Sequence, residues 1–365
     1  MKVQPVSARK SLVLLAVLLA LLLPALPYVS QYILHVMVLI LIYTVLAMGL
    51  NVLPGFCNLL DLGYVGFYGI GAYTAGILSL NHGVSIFIIV PAAVLLGALC
   101  GVIRGAPTLR LSGDYFAIVT FGFTELVVLF LTNEIWLTRG PLGMPGIPPV
   151  TASLSFIGAS WRYAFINPLT ISFDWLVPGW VVKLPGEAGY YWTALFMAAV
   201  VYVVMRRVED SRLGRAWLAI KEDPLAASSC GINLMAYKTV AFAFSAGIGA
   251  LAGSFMAPWS AFLSPEMFKF WESFLILCMI VLGGLGNING AVVGAVVLVS
   301  LGEVLRGILS SLGLPPESRY LMYGLIMILI MRFKPGGLFP TIAATSKKSK
   351  LILDLKARLD AGKVL

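Results

Sequence analysis

Charge is what this sequence has least of. Only 11% of its 365 residues are Asp, Glu, Lys or Arg, and 60% are hydrophobic, whereas a soluble domain carries about 25% charged residues. That shortage, with a mean hydropathy of +0.96, excludes a soluble globular chain. Acidic residues are the scarcer sign, 16 against 25 basic, for a net charge of +9. The basic residues stand beside apolar runs, where Lys and Arg set orientation and meet anionic lipid, so no nucleic-acid partner is expected. Histidine occurs twice, as His35 and His82, and neither is spaced to share a ligand with another metal-binding residue type. The four cysteines, Cys57, Cys100, Cys230 and Cys278, form no C-x-x-C pair and read as small packing residues, not a zinc site or a disulfide framework. No metal site is expected. A G-x-x-x-x-G-K-S/T phosphate loop is missing as well, so the chain is not an ATPase by that route and no cofactor is expected on it.

What is present is a succession of apolar runs divided by Gly, Pro or charge, over 11–29, 32–53, 59–80, 84–103, 114–133, 190–205, 237–258, 272–286, 290–311 and 319–333. Runs of this length without period-two alternation read as helices, because a helix satisfies its own backbone groups in hydrocarbon. The expected fold class is all-α, a polytopic transmembrane helical bundle of about ten spans. Lys2, Arg9 and Lys10 before the first run resemble a secretory signal. No small-residue cleavage site follows, so the run is read as an uncleaved span. Four basic groups fall on one side of a ten-span chain: that amino-terminal trio, Arg104 with Arg110, the cluster Arg206, Arg207, Arg212, Arg215 and Lys221, and the cluster beginning at Arg332 and Lys334. This asymmetry puts both termini in the cytoplasm. The expected organisation is a transmembrane domain over 1–340, with a periplasmic insert at 134–189 and a cytoplasmic loop at 206–236, followed by a basic cytoplasmic tail at 341–365.

The insert is close to neutral, with Arg139, Arg162 and Lys183 against Glu134, Asp174 and Glu187, and it carries Trp161, Trp175 and Trp180. Such a composition suits an interfacial cap whose rings sit at headgroup level. Inside the runs, Gly97, Gly101 and Gly105, Gly249 and Gly253, and Gly290 and Gly294 repeat a four-residue spacing. That spacing gives narrow helix faces for close backbone approach.

The loop between the sixth and seventh runs is polar and punctuated. Asp223 is a good N-cap, Pro224 suits the first helical position and Gly231 the left-handed position after the last turn. Together they enclose a helix of about two turns over 224–230. Upstream, Trp217 and Ile220 share one helical face, with Arg215 and Lys221 available to neighbours. A capped helix held outside the membrane suits a soluble partner's groove, and a solvated loop is the alternative.

This segment resembles the cytoplasmic coupling loop of ABC importer permeases, whose signature is E-A-A-x-x-x-G. Ala226, Ala227 and Gly231 match, and Leu225 stands where the general signature has Glu. Gly-Arg-Ala-Trp at 214–217, Glu222-Asp223 and Gly231-Ile232 are similar to branched-chain amino-acid permeases of the LivM type. So are the blocks 62–73, 111–120 with Gly122 and Glu125, 281–286 and 332–340, in the family's order. The resemblance implies a permease subunit of an importer for branched-chain or other apolar amino acids in a bacterial inner membrane, working by alternating access and catalysing nothing itself. It implies two cytoplasmic ATPase subunits that hydrolyse the ATP, a second and distinct permease subunit, and a periplasmic amino-acid-binding protein. It also makes Gly214, Arg215, Trp217, Glu222, Asp223, Ala226, Ala227 and Gly231 the ATPase-coupling residues.

Candidates for the substrate path come from interruptions of the apolar runs. Asn51 and Asn58 bracket a Pro-Gly break, and Gly283, Gly284 and Gly286 form another. Broken helices present backbone dipoles to solutes, although a plain inter-helix turn fits each break equally. Glu125 follows Asp114 at a distance of about 16 Å along a helix, inside the bilayer. A carboxylate there lines a path or pairs with another helix, unless it lies shallow at the interface. Asp61 and Tyr64 complete the set. Competing readings are a permease for urea or another small amide in the same importer family, an ion-coupled secondary carrier using Glu125 with Asp61, and a non-transporting membrane scaffold.

Overall fold

The computed structural model describes residues 30–148 and 187–339 apart from 83, 85, 110, 112, 312, 314, 316, 317 and 335, together with Pro24 and short strands within 151–183. The first expected span apart from Pro24, the tail 341–365, and Trp161, Trp175 and Trp180 lie outside the described residues.

Helix α1 (Gln31–Leu50) starts at Ser30, whose Oγ accepts the Ile33 N–H at 3.3 Å. It continues into a π-helical turn at Val52–Phe56, where Pro54 supplies no N–H and the hydrogen-bond register shifts. Then come α2 (Tyr64–His82), α3 (Ile86–Thr108), α4 (Asp114–Asn133) and the single turn α5 (Ile135–Thr138). Strand β1 (Met144–Pro145) opens the insert, where β2 (Thr151–Ala152) pairs with β3 (Tyr163–Ala164) and β4 (Thr170–Ser172) with β5 (Val181–Lys183). After it come α6 (Ala188–Glu209), α7 (Arg212–Glu222), α8 (Pro224–Ser229) and α9 (Leu234–Ser260). Strand β6 (Phe262–Leu263) pairs antiparallel with β1, Met144 opposite Leu263, tying the start of the insert to the end of α9. Helices α10 (Phe270–Gly283), α11 (Ile288–Ser311) and α12 (Ser318–Phe333) complete the bundle.

Among the described residues, six helices are long and apolar enough to cross a membrane: Gln31–Phe56, Ile86–Thr108, Tyr115–Asn133, Ala188–Glu209, Leu234–Ser260 and Ile288–Leu309. The sequence led to an expectation of about ten. Three of the missing spans are helices at the expected places that fall short on length or composition. Four glycines and three tyrosines dilute the apolar character of α2 within Tyr64–Gly76, α10 has only 14 residues, and the apolar part of α12 narrows to Tyr320–Ile330.

Helix α9 is the axis of the bundle, packed chiefly against α3 and α2 with α1 beside them. Its contact with α3 sets Ala246 and Ala250 on Gly101 and Gly97, where a Cβ on either glycine would strike the alanine methyl. Gly253 likewise meets the α2 backbone at Tyr68 and Ala72. In lipid the tails are as apolar as the side chains, so helix association rests on this backbone approach and not on hydrophobic burial.

Candidate functional site

The polar loop folds into the α7–α8 pair at one end of the bundle. Ser211 caps α7, its Oγ accepting the N–H groups of Leu213 and Gly214. Asp223 caps α8, its Oδ1 accepting the N–H of Leu225 at 2.9 Å and of Ala226 at 3.1 Å. Pro224 opens that helix, Cys230 closes it, and Gly231 follows at φ +83°. The Ile232 N–H then reaches back to the Ala227 carbonyl at 3.1 Å, a Schellman closure that needs the left-handed glycine.

Burial divides the eight expected coupling residues into two sets. Arg215, Glu222, Asp223, Ala226 and Gly231 are exposed, and so is Leu225, at 78%. Gly214, Trp217 and Ala227 face inward. Trp217 is 1% exposed, its Nε1–H donates to the Tyr237 carbonyl at 2.8 Å and its ring lies beside Phe244. It anchors α7 to α9. Gly214 is held against the carbonyls of Val208 and Glu209, where any side chain would collide.

The two helix breaks, far apart in sequence, meet directly beneath α7. The Asn51 Oδ1 accepts the Gly286 N–H at 3.0 Å, across 235 residues. Gly55 and Gly286 touch backbone to backbone, and Gly283 lies against the Gly290 carbonyl. The segment after α12 straps the second break, as the Leu338 and Phe339 N–H groups donate to the carbonyls of Leu282 and Gly283, each at 2.9 Å. Lys221, at the end of α7, donates from Nζ to the Gly55 carbonyl at 2.6 Å. Burial lowers its pKa from the usual lysine value, with Glu222 and Cys57 opposing the shift. Asn51, Gly283, Gly284 and Gly286 are buried in this junction and Asn58 is an exposed left-handed turn residue at φ 55°. The junction of Asn51, Gly283, Gly284 and Gly286 is a packed joint between two helix ends, closer to the inter-helix turn that the sequence equally allowed than to an open solute path.

Asp61 and Tyr64, the remaining path candidates, are buried in the bundle. Asp61 is fully buried in an ion pair with Arg104, and its Oδ1 accepts the Gly63 N–H at 2.8 Å. The Arg104 guanidinium sits over the rings of Phe67, Phe123 and Phe242, at 4.5, 4.9 and 5.0 Å. Such stacking suits a planar, weakly hydrated cation. Tyr64 is wholly buried against Gly49 and Gly249. Sequence reasoning took Arg104 only as a marker of sidedness; its partner is 43 residues away and no local spacing announces the pair. Glu125 is different. It is exposed midway along α4, on an outward side that also carries Ile118, Leu126 and Leu129.

The family described as branched-chain amino acid transport system, permease component, matches residues 32–331. The chain is similar to the high-affinity branched-chain amino acid transport system permease protein LivM of Escherichia coli K12, 37% identical over 317 residues, which are 86% of this chain and 71% of that one. The Salmonella typhimurium protein of the same description is 38% identical over 305 residues, 82% of this chain and 68% of that one. A more distant relative is the permease protein LivH of the Escherichia coli K12 system, 24% identical over 312 residues, 81% of this chain and 90% of that one. No solved structure matches.

Proposed function

The chain belongs to the family of branched-chain amino acid transport permease components, and on that premise we propose that it is the membrane-spanning subunit of an ATP-driven importer of branched-chain amino acids in a bacterial inner membrane. It is a permease and not an enzyme. Its work is alternating access: helices rotate as rigid bodies to open a path on one side and then the other, driven by two cytoplasmic ATPase subunits. A periplasmic binding protein delivers the amino acid. Charge asymmetry supports about ten spans with both termini in the cytoplasm.

The observation that carries this reading is the capped pair α7–α8, anchored inward by Trp217 and presenting Leu225, Ala226 and Gly231 outward. An exposed apolar side chain on a rigid, capped turn suits insertion into a partner's groove. Exposed Glu125 supports a second permease subunit, because a carboxylate at mid-membrane needs a donor that lipid cannot supply. Relatives of both LivM and LivH description favour a distinct second chain.

The test is uptake of labelled leucine by proteoliposomes holding both permeases and the ATPases. Uptake should require ATP and the binding protein, and Leu225→Asp should abolish recovery of the ATPases with the permease. Uptake driven by a proton or sodium gradient without ATP would overturn the reading.

A further inference from the structure

Lys221 links two features that the importer reading leaves separate. It stands at the last turn of α7, two residues before Asp223, the cap of the exposed helix α8. Its Nζ reaches the Gly55 carbonyl at 2.6 Å, and Gly55 is the residue whose backbone rests on Gly286 of the other break. A Cβ built on Gly286 would lie 2.8 Å from the Gly55 oxygen and 3.3 Å from Lys221 Nζ. One ammonium therefore holds the end of the first broken helix by a hydrogen bond and lies beside the second at their point of contact. A carbonyl at the end of a helix has no intrahelical donor, and a cation there also meets the negative end of the helix dipole. Asn51 holds the same joint from the other side through the Gly286 N–H at 3.0 Å.

We propose that Lys221 is the positioning residue that transmits displacement of the α7–α8 pair to the joint between the α1 and α10 breaks. When α8 moves with a partner, Lys221 carries the Gly55 carbonyl with it. The Gly55–Gly286 contact then shifts, and α1 and α10 move together. The thioether of Met fills a similar volume and cannot donate, while Arg keeps the charge and the donors.

This inference rests on the importer reading, and the test separates the two. Wild type, Lys221→Met and Lys221→Arg are compared as full complexes in proteoliposomes, recording amino-acid uptake and ATP hydrolysis together. Lys221→Met is expected to keep its ATPase subunits and hydrolyse ATP while uptake per ATP falls about tenfold, and Lys221→Arg to recover at least half of it. Hydrogen exchange adds a second readout: nucleotide-dependent changes at 51–58 and 283–290 should be present in wild type and absent in Lys221→Met. Unchanged uptake per ATP in Lys221→Met, or unchanged exchange in both segments, overturns the role of Lys221. Loss of ATP dependence in wild type overturns the importer reading instead. Should Lys221→Met fail to accumulate, Lys221→Leu, which likewise cannot donate to the Gly55 carbonyl, carries the same comparison.

Discussion

Arg104 shows how much can depend on one side chain inside an apolar bundle. It is paired to Asp61 and enclosed by three aromatic rings from α2, α4 and α9, so one residue on α3 ties together four elements. Removing either member leaves an uncompensated buried charge, a loss of about 3–5 kcal/mol in comparable pairs. Asp61→Asn and Arg104→Gln should therefore lower the midpoint of thermal unfolding in detergent sharply. Arg104→Lys should recover little, because an ammonium lacks the planar face that lies over Phe67, Phe123 and Phe242. A midpoint unchanged in Asp61→Asn would show that the pair contributes nothing. The sequence displayed both charges and hid their partnership, since residues on different helices meet only once the bundle has closed.

Helix ends and small-residue faces were the most legible parts of this chain, because their signals are local. Asp223, Pro224 and Gly231 marked the limits of a helix expected over 224–230 and found at Pro224–Ser229. Gly97 and Gly101 marked the face that receives α9. The direction of α7 was less legible. The Trp217–Ile220 spacing announces an apolar face without saying whether that face meets a partner or the chain's own α9, and the Tyr237 carbonyl decides it. The breaks at 51–58 and 283–290 were located in sequence, but their meeting depends on the side-by-side packing of α1, α10 and α11. At this scale the caps make a direct prediction. Asp223→Ala removes an acceptor worth about 0.5–2 kcal/mol, a large share for a helix of 6 residues. Recovery of the ATPases should fall several-fold while the bundle's unfolding midpoint holds, and Asp223→Asn should restore it. Gly231→Arg should accumulate normally yet support little uptake, since a side chain at φ +83° is strained and sits on the exposed side of the pair. Normal uptake in that variant would mean that the turn after α8 has no part in coupling.

The whole molecule is unevenly enclosed. For α9 72% of its most apolar window is buried, against 33% for α4. Enclosure alone does not single out α4, since α3 is 22% buried; the exposed Glu125 does, so the proposed second permease is expected to lie along α4. Glu125→Leu should weaken co-purification of that subunit and Glu125→Gln, which still hydrogen-bonds, should retain it; equal recovery of all three forms would place the interface elsewhere. The span count, by contrast, was poorly legible. Helix α2 is diluted by its glycines and tyrosines and α10 is apolar but only 14 residues long, so length and composition together hide two helices that the bundle holds in place. The joint beneath α7 also sets an order of events in synthesis. Asn51 leaves the ribosome first, its partner Gly286 comes 235 residues later, and the donors Leu338 and Phe339 later still. At about 5–20 residues per second, the first break waits on the order of half a minute with its polar groups unmatched.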